Sequence, residues 1–223
     1  MRFLAFASDY DGTLAWEGKI ERRTLKALDQ LKQSGRKLIL VTGRELDELR
    51  QIFPQASIFD CIVAENGALL YWPVTKRMEV LTDPPAPPFV ERLRQKKVTP
   101  LSVGHSIVAT SLKHKRTVVS TILEMDLDLH VIMNKDSVMV LPTGVTKGTG
   151  LRVALHELGI AAHNVVAVGD AENDDSLLSM CGFSVAVANA IPSLKRRAHK
   201  TTKEKHGAGV VEIIQQIIKN DRA

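Results

Sequence analysis

Asp9 and Asp11 stand two residues apart in SDYDGT, straight after a short apolar run and straight before Gly12. A carboxylate can act as a covalent nucleophile, and attack on phosphorus to give an aspartyl-phosphate is one documented use. Such an attack sets two further requirements. A divalent cation must offset the repulsion between a carboxylate and a phosphate dianion, and a second acid must protonate the departing alkoxide. Asp9 at a strand end and Asp11 in the turn after it can supply nucleophile and acid. Alone the pattern carries little weight, because turns favour Asp and Gly on conformational grounds.

Three further stretches add to it. GDAENDD offers Asp170 and Asp174, oxygen ligands of the kind that hard Mg²⁺ prefers. Lys147 begins a helix and so combines a cation with free helix-start amides, a good place for phosphate. Thr42 and Gly43 add a hydroxyl and open backbone N–H groups. Together these residues make a full set for phosphoryl transfer.

The elements that must position them are legible as alternating runs. Continuous apolar stretches at 2–8, 37–43, 59–67, 164–170 and 183–189 predict strands, and helical spacing follows at 21–33, from Arg44 to Pro54, from Lys147 to about 160, and in ENDDSLLSMCG. Unbroken apolar strands alternating with helices indicate a parallel sheet covered on both faces, with its binding crevice at the carboxyl ends of the strands. DYD, TGR, ENG and GDAEND all close such runs. Between about 80 and 143 the texture changes. TDPPAPP reads as a linker. Beyond it FVERLRQKK and RTVVSTILEM predict helices, HSIVATS, LDLHVIM and SVMVLP predict strands, and a polar turn at Asn134-Lys135-Asp136 joins the last two. The alternation in LDLHVIM predicts a sheet with one solvated face.

Composition excludes several classes. The chain has 223 residues, 44% hydrophobic and 25% charged, an ordinary globular balance. Its apolar runs are too short and too interrupted for a bilayer span, and the first residues run straight into acidic ones, unlike a secretion signal. Cys61 and Cys181 sit in apolar stretches without a CxxC or Cys/His cluster, which suits buried thiols in a reducing cytoplasm and gives no zinc site. Net charge is +5, densest in KRRAHKTTKEKH at 195–206. Without interleaved aromatics this reads as a solvated basic surface, and nucleic acid is not expected as a partner.

Asp9-x-Asp11-Gly12-Thr13, Thr42-Gly43-Arg44, Lys147 and Gly169-Asp170-x-x-Asn173-Asp174 resemble, in order and in strand context, the four motifs of the haloacid dehalogenase superfamily of Mg²⁺-dependent phosphatases. The resemblance runs from the first strand to about residue 190. The insert between the second and third motifs is similar to the α/β cap of the branch holding sugar-phosphate phosphatases, phosphomannomutases and archaeal-type phosphoglycolate phosphatases. Asn66-Gly67-Ala68 matches an NGA-like strand end of that branch, and GAGVVEIIQQII is similar to its closing helix.

The resemblance implies an α/β fold, a Rossmann-like parallel sheet with helices on both faces at 1–80 and 144–223, plus a small α+β cap domain at 81–143. It implies Asp9 as nucleophile and metal ligand, and Asp11 as general acid and base with its backbone carbonyl on Mg²⁺. Asp170 would be the remaining protein carboxylate on the metal, with Asp174 supporting it directly or through water. Thr42, Gly43 and Lys147 would hold the phosphoryl group. Asn173 would reach the phosphate or the lysine, and Asn66 would face substrate. Each has a plainer alternative: Thr42 as a strand-end cap, Lys147 as an exposed helix-start lysine, and Asn173 and Asp174 as caps of the next helix. Arg44 touches either substrate or only the helix surface, and Asp175 has no assigned role. The seven histidines are scattered and read as structural or solvated.

The expected activity is hydrolysis of a small phosphorylated metabolite, phosphoglycolate or a sugar phosphate, by a cytoplasmic monomer or homodimer. Two alternatives stand beside it. One is a phosphomutase returning the phosphoryl group to a sugar. The other is a phosphatase-fold domain of a larger protein acting on nucleic acid or another macromolecule.

Overall fold

The computed structural model describes residues 3–134 and 136–220. Arg2 of the first expected strand, Lys135 of the expected turn, and residues 221–223 lie outside the described residues.

Along the chain run β1 (Ala5–Ser8), α1 (Arg22–Gln33), β2 (Lys37–Val41), α2 (Leu46–Ile52), β3 (Cys61–Ala64), β4 (Leu69–Trp72) and β5 (Arg77–Val80). Then come α3 (Pro87–Gln95), β6 (Leu101–Val103), β7 (Val108–Ser111), α4 (Lys115–Glu124), β8 (Leu129–Asn134) and β9 (Ser137–Pro142). The chain continues through α5 (Lys147–Glu157), β10 (Val165–Gly169), α6 (Asp175–Met180), β11 (Phe183–Ala186), α7 (Pro192–Arg197), β12 (Lys200–Thr201) and α8 (His206–Asn220).

Eight strands form one sheet in the order β12-β11-β10-β1-β2-β3-β4-β5, and four form a second in the order β6-β7-β9-β8. In the large sheet β12 through β3 are parallel, and β4 and β5 continue it antiparallel. Helices on both faces explain the unbroken apolar strands: every residue of β1, β3 and β10 is buried. In α1, Thr24, Ala27, Leu28 and Leu31 recur at helical spacing and are buried on one face.

Several parts of the fold differ from the sequence expectation, among them the short β6, α7 and β12, which were not predicted. The hairpin β4–β5 adds two strands that were not predicted; β5, RMEV, is only four residues long and mostly exposed at the sheet edge, so no buried run marks it. The proline run is not all linker, because Pro87 and Pro88 open α3, where the missing N–H costs nothing. The solvated face expected from LDLHVIM is only partly realised: β8 is half-buried along its length with Met133 exposed, and β9 is covered on both sides. In β9, Val138 and Val140 pack with Phe89, Leu93 and Val118 of the helices on one side, whereas Met139 and Leu141 on the other cluster with Ile107, just before β7, and with Ala68 of the large sheet's side. β9 is covered twice because the second face of its sheet roofs the strand ends of the first.

Candidate active site

The strand order reverses beside β1: the chain proceeds from β1 through β2 to β3 on one flank, and from β10 through β11 to β12 on the other. Loops at such a reversal part and leave a crevice at the carboxyl ends of the strands. Asp9 directly follows β1, and its N–H donates to the carbonyl of Val168 in β10 at 3.0 Å. Asp170 directly follows β10.

Lys147 is the first residue of α5, whose start is fixed by Thr146: its hydroxyl accepts from the Thr149 N–H at 3.2 Å, and the Thr149 hydroxyl takes the Thr146 N–H at 2.8 Å. From there the Lys147 ammonium reaches Asp9 Oδ1 at 2.5 Å and Asp174 Oδ1 at 2.6 Å. Asp174 Oδ2 accepts the N–H groups of Asp170 and Ala171 at 2.8 and 2.9 Å, so this carboxylate organises the Asp170 turn as well as the lysine. The Thr13 hydroxyl donates to Asp170 Oδ1 at 2.8 Å. The helix can come this close because of two glycines. A Cβ on Gly67, at φ +106°, would lie 2.0 Å from the Thr146 carbonyl oxygen, and one on Gly150 would lie 2.5 Å from the Gly67 Cα.

Lys147 is only 1% exposed and Asp174 is fully buried. Burial, reinforced by the Asp174 charge, holds the Asp9 carboxyl well above the usual carboxylate range, with Lys147 pulling against it. Burial alone would lower the lysine, but the Asp174 and Asp9 carboxylates outweigh it and keep the ammonium charged. Asp9, Asp170 and Asp174 each offer an oxygen within 4.8 Å of the others. Three buried carboxylates against one ammonium leave net negative charge in a site made of hard oxygen donors, which fits a small dication.

The expected site residues fall into two groups. Asp9, Asp170, Asp174 and Lys147 converge as described. Asp11 lies beside them, but its carboxylate faces Arg44, whose Nε donates to Oδ2 at 2.6 Å and Nη2 to Oδ1 at 2.8 Å. Arg44 also pairs with Glu48, so it bridges the Asp11 turn and α2. Thr42 is buried, and its hydroxyl accepts the Arg44 N–H at 3.1 Å. Asn173 was expected to reach phosphate or lysine; its Nδ2 instead donates to Asn66 Oδ1 at 2.9 Å. Asn66 Nδ2 in turn meets the Met139 sulfur at 2.9 Å, so these two amides join the Asp170 turn to the overlying sheet.

A cavity of about 1000 Å³ opens over Asp9, Asp11, Gly43 and Arg44, and from the second-sheet side Ile107, Ala109 and Met139 line it together with Ser102, Asn134, Asp136 and Ser137. Sequence reasoning missed Thr13, although it sits inside the DYDGT motif, and missed this roof. The basic stretch is tied into the fold: Lys195 donates to the Ala188 carbonyl, and Arg197 pairs with Asp175 at 2.7 Å.

A family model for haloacid dehalogenase-like hydrolases matches residues 6–99 and 113–214, and the chain belongs to that family. It is 30% identical over 220 residues to the phosphoglycolate phosphatase of Methanothermobacter thermautotrophicus, covering 96% of this chain and 98% of that one. It is 32% identical to phosphoglycolate phosphatase 2 of Saccharolobus solfataricus, covering 95% and 91%. A haloacid dehalogenase-like hydrolase from Bacteroides thetaiotaomicron shares the fold with a TM-score of 0.81 at 21% identity, covering 96% of this chain and 99% of that one. The protein is therefore a phosphatase of this family, which generally uses a divalent metal. No helix among the described residues is long and apolar enough to cross a membrane.

Proposed function

We propose that the protein is a Mg²⁺-dependent phosphomonoester hydrolase acting on phosphoglycolate or a similarly small phosphorylated metabolite in the cytoplasm, with residues 81–143 as its cap domain. The observation that carries this reading is the convergence of Asp9, Asp170, Asp174 and Lys147 in one buried cluster beside a cavity that the second sheet covers. Likeness to phosphoglycolate phosphatases over nearly the whole chain supports the substrate class.

Asp9 Oδ attacks phosphorus while the ester oxygen leaves with a proton from Asp11, giving an aspartyl-phosphate and an alcohol. Asp11 then takes a proton from water as it attacks phosphorus, and Asp9 departs from phosphate as a free carboxylate. Lys147, the Thr42 hydroxyl and the Gly43 N–H hold the phosphoryl oxygens. Mg²⁺ held by Asp9 and Asp170, with the Asp11 carbonyl, would supply charge neutralisation for the dianion. Asp174 keeps Lys147 and the Asp170 turn in place. For Asp11 to donate, it must leave Arg44, so Arg44 holds the acid outside the cluster until substrate enters.

The test is phosphate release from a panel of phosphoglycolate, hexose phosphates and nucleotides, with Mg²⁺ and with chelator. Mg²⁺-dependent release that is fastest on phosphoglycolate is expected. Isomerised sugar phosphate without free phosphate would replace hydrolysis by phosphoryl transfer, and equal rates in chelator would overturn the metal assignment.

A further inference from the structure

Glu65 is fully buried, at φ +51°, and the chemistry proposed above does not use it. Its carboxylate reaches across from the end of β3 to the loop between β6 and β7. Oε2 accepts the Ser106 N–H at 2.7 Å, Oε1 accepts the His105 N–H at 3.1 Å, and the His105 ring nitrogen Nδ1 lies 3.3 Å from Oε1. The loop comes so near that a Cβ on Gly104 would stand 2.9 Å from the carboxylate atoms. Ser106 passes the contact on, its hydroxyl donating to the Thr82 carbonyl at 2.8 Å in the segment that leads into α3.

The backbone of Glu65 faces the other way. Its N–H donates to the Arg44 carbonyl at 3.0 Å, and the next N–H, of Asn66, donates to the Thr42 carbonyl at 3.0 Å. One residue therefore grips the Thr42–Arg44 loop through its main chain and the roof loop through its side chain. Ile107, which follows the gripped N–H groups, lines the cavity over Asp9 and Arg44. The surrounding contacts between the two sheets are largely apolar, through Ala68, Met139 and Leu141, and apolar contacts slide easily whereas a carboxylate on two N–H groups has one geometry. Two further polar contacts are Asn66 Nδ2 on the Met139 sulfur, a weak acceptor, and Ser102 to Glu45 between exposed groups at the mouth of the cavity.

We propose that Glu65 is a positioning residue that sets the height of the roof over the phosphoryl site, fixing Ile107 relative to Thr42 and Arg44 and thereby the size of the organic group the site accepts. This rests on the phosphatase reading for its kinetic consequence, but not for its structural one. Glu65→Gln retains shape and loses charge, and presents an NH₂ to one of the two N–H donors. Gly104→Ala presses on the same contact from the roof side and leaves the buried core untouched.

The experiment measures amide exchange by NMR in the absence of substrate, together with kinetics on phosphoglycolate and on p-nitrophenyl phosphate. In both variants the amides of His105 and Ser106 lose protection, while those of β1 and β10 keep it. KM for phosphoglycolate rises about tenfold with kcat held within about threefold, as expected when ground-state and transition-state contacts weaken together. The ratio of kcat/KM shifts toward the bulkier aryl ester. Unchanged protection at 105 and 106 in either variant overturns the proposal. So does a loss spread evenly over β1 and β10, or an unchanged KM in Gly104→Ala. A wild-type protein inactive on every phosphate ester would sink the phosphatase reading alone, since the exchange measurement stands without it.

Discussion

The two sheets meet across one crevice and contribute opposite things to it. The large sheet delivers charge: Asp9, Asp170, Asp174 and Lys147 all come from its strand ends or from the helix start packed on them, and all are buried. The small sheet delivers a mixed cover, with Ile107, Ala109 and Met139 beside the polar Ser102, Asn134, Asp136 and Ser137. The division has an electrostatic reason. A carboxylate cluster held over several ångströms by a mobile part would pay desolvation in every arrangement and be compensated in only one, so the charges are best fixed by one rigid unit. An apolar surface tolerates displacement, because its contribution depends on area rather than direction. The unit that carries out the chemistry is thus held by buried charge pairs, and the unit above it is placed by the Glu65 carboxylate amid largely apolar contacts.

Substitutions can break or sharpen this contrast. The largest effect is expected from Asp9→Asn, which should lower kcat by at least about a thousandfold with the fold intact by circular dichroism, since the nucleophile acts as part of a unit. Next is Lys147→Met. It leaves Asp9 and Asp174 without their shared cation, so both activity and stability should fall, the latter by about 3–5 kcal/mol in a denaturant titration. Adding Mg²⁺ should recover part of that loss by binding the freed carboxylates, and no recovery would count against a cation site there. Arg44→Ala removes the pair that holds Asp11. Having no part in the buried cluster, it should change stability by about 1 kcal/mol or less, as for partly exposed ion pairs, while altering the pH profile of kcat.

The smallest effect concerns the thiols. Burial pushes both Cys61 and Cys181 up to about 12, so neither should react with a disulfide reagent at pH 8 until the chain unfolds. Because the folded values lie above the ordinary one, this contribution to stability is complete below about pH 8.5 and is lost as pH rises toward 12. Midpoints of denaturation at pH 8 and pH 10.5 check the sign.

What could be read in the sequence was what strand ends display. The charged cluster lies immediately after apolar runs, so its members announce themselves one by one, and the crevice rule for parallel sheets brings them together. Pairings across the chain were less accessible. Nothing in TGR shows that Arg44 turns to Asp11, and ENG drew attention to Asn66 although Glu65 beside it makes the longer reach. Glu65 was hidden because its partners are backbone N–H groups at 105 and 106, which every sequence possesses. The β4–β5 hairpin was missed on two counts: β4, LLYW, follows β3 so closely that it reads as the tail of the same apolar run, and β5, RMEV, is too short and exposed to show a pattern.

The backbone-to-backbone seat of α5 on Gly67 and Gly150 has a practical consequence for anyone wishing to retarget this catalyst. With no side-chain atoms between the two segments there is no slack to absorb remodelling, and each added methyl must move the ammonium it supports. New substrates will have to be admitted by rebuilding residues above the crevice, with the ground beneath left alone.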